Sequence, residues 1–172
     1  MQNLAPTTKF LLAARVRFLA AADRILDEHW LERPAPDAWS AAEIVAHVGM
    51  IEESIVERCK KASVSDSRRL PALKRIRLPL VLATWRGKKV RSPMPLKSER
   101  IGNREQAYAT LQEIRQHSFE FFDSLGDRDL SVHHFPHPIF GGLNLYEWYR
   151  FIGYHELRHR KQLCELVEIF HP

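Results

Sequence analysis

Apolar residues recur along this chain at steps of three, four and seven, the period of helices with one buried face, and four segments show it. The first spans residues 8–30, with Leu12, Val16, Leu19, Leu26 and Trp30 on its stripe and Pro34 and Pro36 beyond its end. The second spans residues 40–62. Ser40 and Glu43 form a capping box, Trp39 is placed to staple onto Ile44, and Ile44, Val48, Ile51 and Ile55 make the apolar face, with His47 inside it. The third follows Asn103, with Gln106 in the box position, and runs through Leu111, Ile114, Phe121 and Phe122 to Leu125, where Gly126 and Asp127 stop it. The fourth follows Asn144, with Glu147 three residues on and Leu143 placed against Trp148. Its stripe is Leu145, Trp148, Ile152, His155, His159, Leu163, Leu166 and Phe170.

Between the second and third helices lies a proline-interrupted crossover, residues 64–102, with a short apolar helix expected at 78–85 and extended chain elsewhere. Residues 132–142, between the third and fourth helices, read as a loop holding His133, His134 and His137, with His137 capping the turn before Pro138. Four long amphipathic helices with one long crossover define an all-α fold, a four-helix bundle of up-down-down-up type, formed as a single domain over residues 1–172.

Composition agrees with a globular domain: 172 residues, 45% hydrophobic and 27% charged. No apolar run reaches the roughly 18–20 residues that span a bilayer, and Arg15 and Arg17 make residues 10–22 an amphipathic helix rather than a leader, so no membrane partner is expected. Cys59 and Cys164 cannot build a disulfide framework and lack paired redox or zinc spacing, which makes the cytoplasm the default compartment. The net charge of +5 is uneven, because residues 66–100 hold eleven basic residues against Asp66 and Glu99. Such a segment could contact phosphates or guide an anionic ligand. It has no DNA-reading motif and only Trp85 as an aromatic, so a solvated surface is the simpler reading and a nucleic-acid partner is not expected.

The chemistry concentrates in His155-Glu156-Leu157-Arg158-His159. Histidines four apart on a helix lie one above the other and can reach one metal ion. The string also matches the HExxH pattern of zinc peptidases, in which the Glu is the general base. That reading fails on the ligand count. Only thirteen residues follow His159, and Gln162 and Glu165 stand where the compact variant needs Gly and His. No strand is expected before the helix, and Glu156 points about 100° away from the histidine seam. Two readings of the histidines remain: hydrogen-bonded core residues, or His155 and His159 sharing a divalent metal with His47. Histidine ligates only when neutral, so metal affinity is expected to fall below the unperturbed pKa of ~6.5.

The run Pro36-Asp37-Ala38-Trp39-Ser40-Ala41-Ala42-Glu43 leading to His47 resembles the second-helix signature of the DinB-like superfamily. So do His137-Pro138-Ile139-Phe140-Gly141, Leu143-Asn144-Leu145-Tyr146-Glu147-Trp148, and His155-x-x-Arg158-His159-x-x-Gln162. The resemblance covers residues 8–62 and 103–170, and the basic crossover has no counterpart in it. It implies a bundle in which His47, His155 and His159 bind a divalent metal, zinc or nickel first, iron or manganese as alternatives. It also implies thiol-dependent chemistry: transfer of a low-molecular-weight thiol to small electrophiles, with metal-dependent hydrolysis or a non-enzymatic metal- or nucleic-acid-binding stress role as the alternatives. Gln162, Arg158 and Tyr154 flank the pair as catalytic candidates, Gln162 as a hydrogen-bond partner of an imidazole or ligand. A small-molecule substrate and a homodimer are the expected partners.

Overall fold

A computed structural model of the chain describes residues 3–65, 78–87 and 95–170. Four helices form it: α1 (Ala5–Ala22), α2 (Ala41–Ser63), α3 (Arg104–Ser124) and α4 (Leu145–Phe170). Of the three boxes read from the sequence two show both bonds, and at the third Asn103 Oδ1 accepts from Gln106 N–H at 2.9 Å. The Ser40 hydroxyl accepts from Glu43 N–H at 3.2 Å while the Glu43 carboxylate accepts from Ser40 N–H at 2.9 Å. Asn144 and Glu147 exchange the same pair of bonds at 2.8 and 2.9 Å. Each satisfies donors that a helix start leaves without an intrahelical partner.

Contacts between helices fix the topology. Thr8 meets Tyr149, Arg15 meets Glu156 and His29 stacks on Phe170, so α1 and α4 run parallel. Gly49 lies against Leu111 and Ile114, and Glu52 against Arg115 and Ser118, so α2 and α3 are also parallel. Trp39 near His159 and Arg58 near Trp148 make α2 antiparallel to α4. The bundle is therefore up-down-down-up, as expected from the long crossover.

α1 departs from expectation in length and in face. It ends at Ala22, not near Trp30, because the Arg104 guanidinium takes the Ala22 carbonyl at 2.8 Å and the Ile25 carbonyl beyond it. The chain then turns through a 3-10 segment, Asp27–His29, and buries Trp30, whose indole N–H donates to Gly102 O at 3.0 Å. The buried stripe is Leu11, Ala14, Arg15, Phe18, Ala21 and Ala22, whereas Leu12 and Val16 are exposed. The face is displaced because it contains a buried arginine.

That arginine belongs to an ionic tetrad, with one charge from each helix. Arg15 (α1) donates to Glu52 (α2) at 2.9 Å and also meets Glu156 (α4). Arg115 (α3) donates to both Glu52 oxygens at 2.7 and 3.0 Å and lies 3.0 Å from Glu156. All four side chains are buried. The remaining donors reach main-chain carbonyls, Arg15 to Leu111 and Arg115 to Leu11. Two positive and two negative charges cancel, which is what lets a core hold them.

The segment before α4 is a hairpin and not a loop. β1 (His134–His137) pairs antiparallel with β2 (Gly141–Asn144), with His137 opposite Gly141 and His134 opposite Asn144. Gly141 takes φ +77°, a left-handed conformation that glycine adopts without steric cost. The His137 Nδ1 accepts from Ile139 and Phe140 N–H at 3.0 and 3.2 Å, closing the turn. Pro136 is tolerated because both strands of a two-stranded sheet are edges. The apolar helix expected at 78–85 is a single 3-10 segment, Leu80–Thr84, packed along α4. Residues 66–77 and 88–94 of the basic crossover lie outside the described residues.

Candidate metal centre

His47, His155 and His159 come together between α2 and α4, each offering one ring nitrogen, all within 4.8 Å of one another. The antiparallel packing of the two helices brings His47 opposite the His155–His159 ledge. Ring centroids lie 5.2 Å apart for His47 and His155, 4.8 Å for His47 and His159, and 4.5 Å within the pair. Trp39 covers one side, its ring 4.7 Å from His47 and 6.3 Å from His159. Phe151 flanks His155 at 5.9 Å. The ring of Trp39, expected as a staple onto Ile44, thus also walls the cluster.

Burial pushes all three imidazoles towards the neutral form. His47 is brought down to about 4, and His155 and His159 fall well below the usual histidine value, with burial the leading cause and the neighbouring imidazoles adding to it. Proton competition for these nitrogens therefore begins below, not at, the ~6.5 of a free histidine.

A hydrogen bond sets the tautomer at His159. Its Nδ1 lies 2.9 Å from Gln162 Oε1, and the same oxygen lies 3.4 Å from Arg86 NH1. Arginine can only donate, so the Gln162 atom facing it is the oxygen, and His159 must donate its Nδ1–H to that oxygen. The Nε2 lone pair then points inward, 3.2 Å from the Nε2 of His155. Two ligands of one tetrahedral ion, each at ~2.0–2.1 Å, stand roughly 3.3 Å apart, so this pair has the spacing such an ion requires. The donor set of three neutral nitrogens, one of them oriented by an outer amide, fits a divalent metal.

The other candidates fall elsewhere. Arg158 donates to the Trp85 carbonyl and holds the crossover on α4. Tyr154 packs on Phe10 with ring centroids 4.9 Å apart and lines a cavity of about 500 Å³ with Pro79, Leu80, Tyr146 and Arg150. His137 uses its Nδ1 on the hairpin turn. Glu156 is held in the ionic tetrad and faces Arg15 and Arg115, so it cannot serve as a base at the cluster. A hairpin does precede α4, contrary to expectation, but the position of Glu156 removes the peptidase reading independently. Two residues escaped the sequence reading. Arg15 signalled only as an interruption of an apolar run, and Arg86 was one of many crossover cations.

The fold and the cluster define a class: a helical bundle holding three facing imidazoles, one from its second helix and two from its fourth. The match to the DinB superfamily model spans residues 11–163, and the chain belongs to that superfamily. It is similar to the uncharacterized protein YuaE of Bacillus subtilis (strain 168), at 29% identity over 147 residues, 83% of this chain and 85% of that protein. The crystal structure of TT2238, described as a four-helix bundle protein, superposes with a TM-score of 0.57 at 21% identity. The match covers 94% of this chain and 98% of that one, and supports the fold. Among the described residues, no helix is long and apolar enough to cross a membrane.

Proposed function

We propose that this chain is a metal-dependent enzyme that transfers a low-molecular-weight thiol to small electrophiles. The observation that supports it best is the cluster of His47, His155 and His159, three neutral imidazoles facing one another, His47 and His159 buried and His155 half-buried. Three protein ligands leave a coordination position for an exogenous group, the arrangement of catalytic and not of closed structural sites. A divalent cation held there, zinc or nickel first, supplies Lewis acidity that lowers the pKa of a thiol and makes thiolate available near neutral pH.

The protein's own residues do the rest. Gln162 holds His159 in the Nδ1–H form, so that its Nε2 presents a lone pair to the cluster. Trp39 and Phe151 wall the histidines with apolar surface and restrict water. The thiol gives up its proton to solvent, its sulfur forms a bond to the electrophilic carbon, and the leaving group departs with its electron pair. No carboxylate joins the cluster among the described residues: Glu156, between the two histidines, is held by Arg15 and Arg115, and Glu165 is engaged by Arg86 at 2.7 and 2.8 Å.

The test is a panel of thiols offered with a chromogenic aryl halide to protein loaded with zinc or nickel. The expected result is a thiol-dependent rate absent from His155→Ala. A rate no greater than that variant's with every thiol, or ester cleavage without thiol, would overturn the proposal.

A further inference from the structure

The crossover does not merely pass the histidine cluster; it is tied to α4 beside it at successive points. Lys161 donates to the Thr84 carbonyl at 2.9 Å, and Arg158 donates to the carbonyl of Trp85. Arg86 makes a bidentate pair with Glu165 at 2.7 and 2.8 Å. The bidentate pair fixes the plane of the Arg86 guanidinium. Its remaining NH1 then stands at the Gln162 oxygen that His159 also uses.

From this the geometry points to Arg86 as a positioning residue for the metal centre, acting through Gln162 on the tautomer and orientation of His159. The inference rests on the metal-binding reading above. The Gln162 amide by itself has two faces. With its NH₂ turned towards His159 it would ask Nδ1 to accept, placing the proton on Nε2 and removing the lone pair from the cluster. Arg86 excludes that flip, because its N–H would then face an N–H. Segment 80–87 therefore sets the ligand state of a histidine more than seventy residues away in sequence. By linkage, the same coupling makes an occupied site hold the segment more tightly.

The sign of the effect separates positioning from simple charge. Arg86 is a cation near the cluster, and it already disfavours protonated His159. Removing it relieves repulsion on a dication and, on Coulombic grounds alone, tightens metal binding. Loss of positioning weakens binding instead.

The experiment measures Co²⁺ and Zn²⁺ affinity by competition titration, with the Co²⁺ visible spectrum as a second readout, for wild type, Arg86→Met, Gln162→Leu and the double variant. Gln162→Leu is expected to weaken binding about 10–100-fold, the usual effect of losing an outer partner of a ligand. Arg86→Met should weaken it several-fold and alter the Co²⁺ bands, while adding under twofold in the Gln162→Leu background. Amide exchange of residues 80–87 should slow when Zn²⁺ is added to wild type and not in Arg86→Met. Unchanged or tighter binding in Arg86→Met, or an equal loss in both backgrounds, overturns the role of Arg86 while leaving the metal site standing. A wild-type protein that binds neither ion overturns both. Arg86→Lys, which keeps the charge but loses the fixed fork, is expected to behave like Arg86→Met, so charge alone does not rescue the site.

Discussion

Glu52→Gln is expected to be among the most destabilising single-atom exchanges in this protein. Glu52 is 1% exposed and accepts from Arg15 at 2.9 Å, from Arg115 at 2.7 and 3.0 Å and from Ser118 at 2.8 Å. The amide keeps the volume but removes the charge and turns one acceptor into a donor facing a guanidinium. Arg15 and Arg115 are then left with Glu156 as their one carboxylate. Breaking a buried ion pair from one side costs about 3–5 kcal/mol. At roughly 2–4 °C per kcal/mol for a domain of this size, Tm should fall by roughly 6–20 °C. Glu156→Gln should cost less. Burial pushes the Glu156 carboxyl above its usual range even with Arg115 and Arg15 beside it, and its Oε2 has no hydrogen-bond partner among the described residues. Its carbonyl can keep the Oε1 contacts while the NH₂ takes the Oε2 position. Scanning calorimetry and urea melts on the metal-free proteins give both numbers. A Glu52→Gln loss under about 1 kcal/mol, or a Glu156→Gln loss equal to or above that of Glu52→Gln, would refute the view that the tetrad is organised around Glu52.

Alanine at His47, His155 or His159 should each abolish stoichiometric metal in protein loaded with zinc or nickel, as read by elemental analysis; full occupancy in His47→Ala would remove the three-histidine site. Metal-free protein should lose stability as pH falls from about 6.5 towards 4, because His47 binds a proton in the unfolded chain over that window but not in the fold. The loss reaches about 3 kcal/mol from His47 alone, and urea midpoints equal at pH 5 and pH 7 would contradict it. Ser40→Ala should cost about 1 kcal/mol in urea melts through loss of the cap on α2. Gly153→Ala places a Cβ 2.5 Å from Phe10 Cε1, so a cost of about 1–3 kcal/mol is expected; a neutral result would mean that Phe10 can swing away freely.

What the sequence made legible follows from which interactions are local. The capping boxes at Ser40 and Asn144 involve residues three apart, and both appear as read. The bundle followed from periodicity, and the pairing of His155 with His159 followed from helix geometry alone. The misreadings have a non-local cause. The apolar period alone sets α1 a step off its true face, because Arg15 looks like a solvent residue until Glu52 and Glu156 arrive from other helices. The end of α1 depends on Arg104, about eighty residues on. The hairpin at 134–144 reads as loop in the sequence because its strands are four residues long and one holds Pro136.

His155 and Glu156 show why a motif of correct letters can mislead. Adjacent residues on a helix are turned about 100° from each other, so a helix packed on two sides sends them to different neighbours. On α4, the side towards α2 receives His47, and the side towards the bundle centre receives Arg15 and Arg115. The peptidase arrangement needs the glutamate to share a solvent-filled cleft with the histidines. Here two guanidiniums have claimed it, and those guanidiniums are in turn fixed by Glu52. Turning Glu156 towards the cluster would mean dismantling the charge balance that the core depends on. The carboxylate in the signature belongs to the fold, and the imidazoles on either side of it belong to the site.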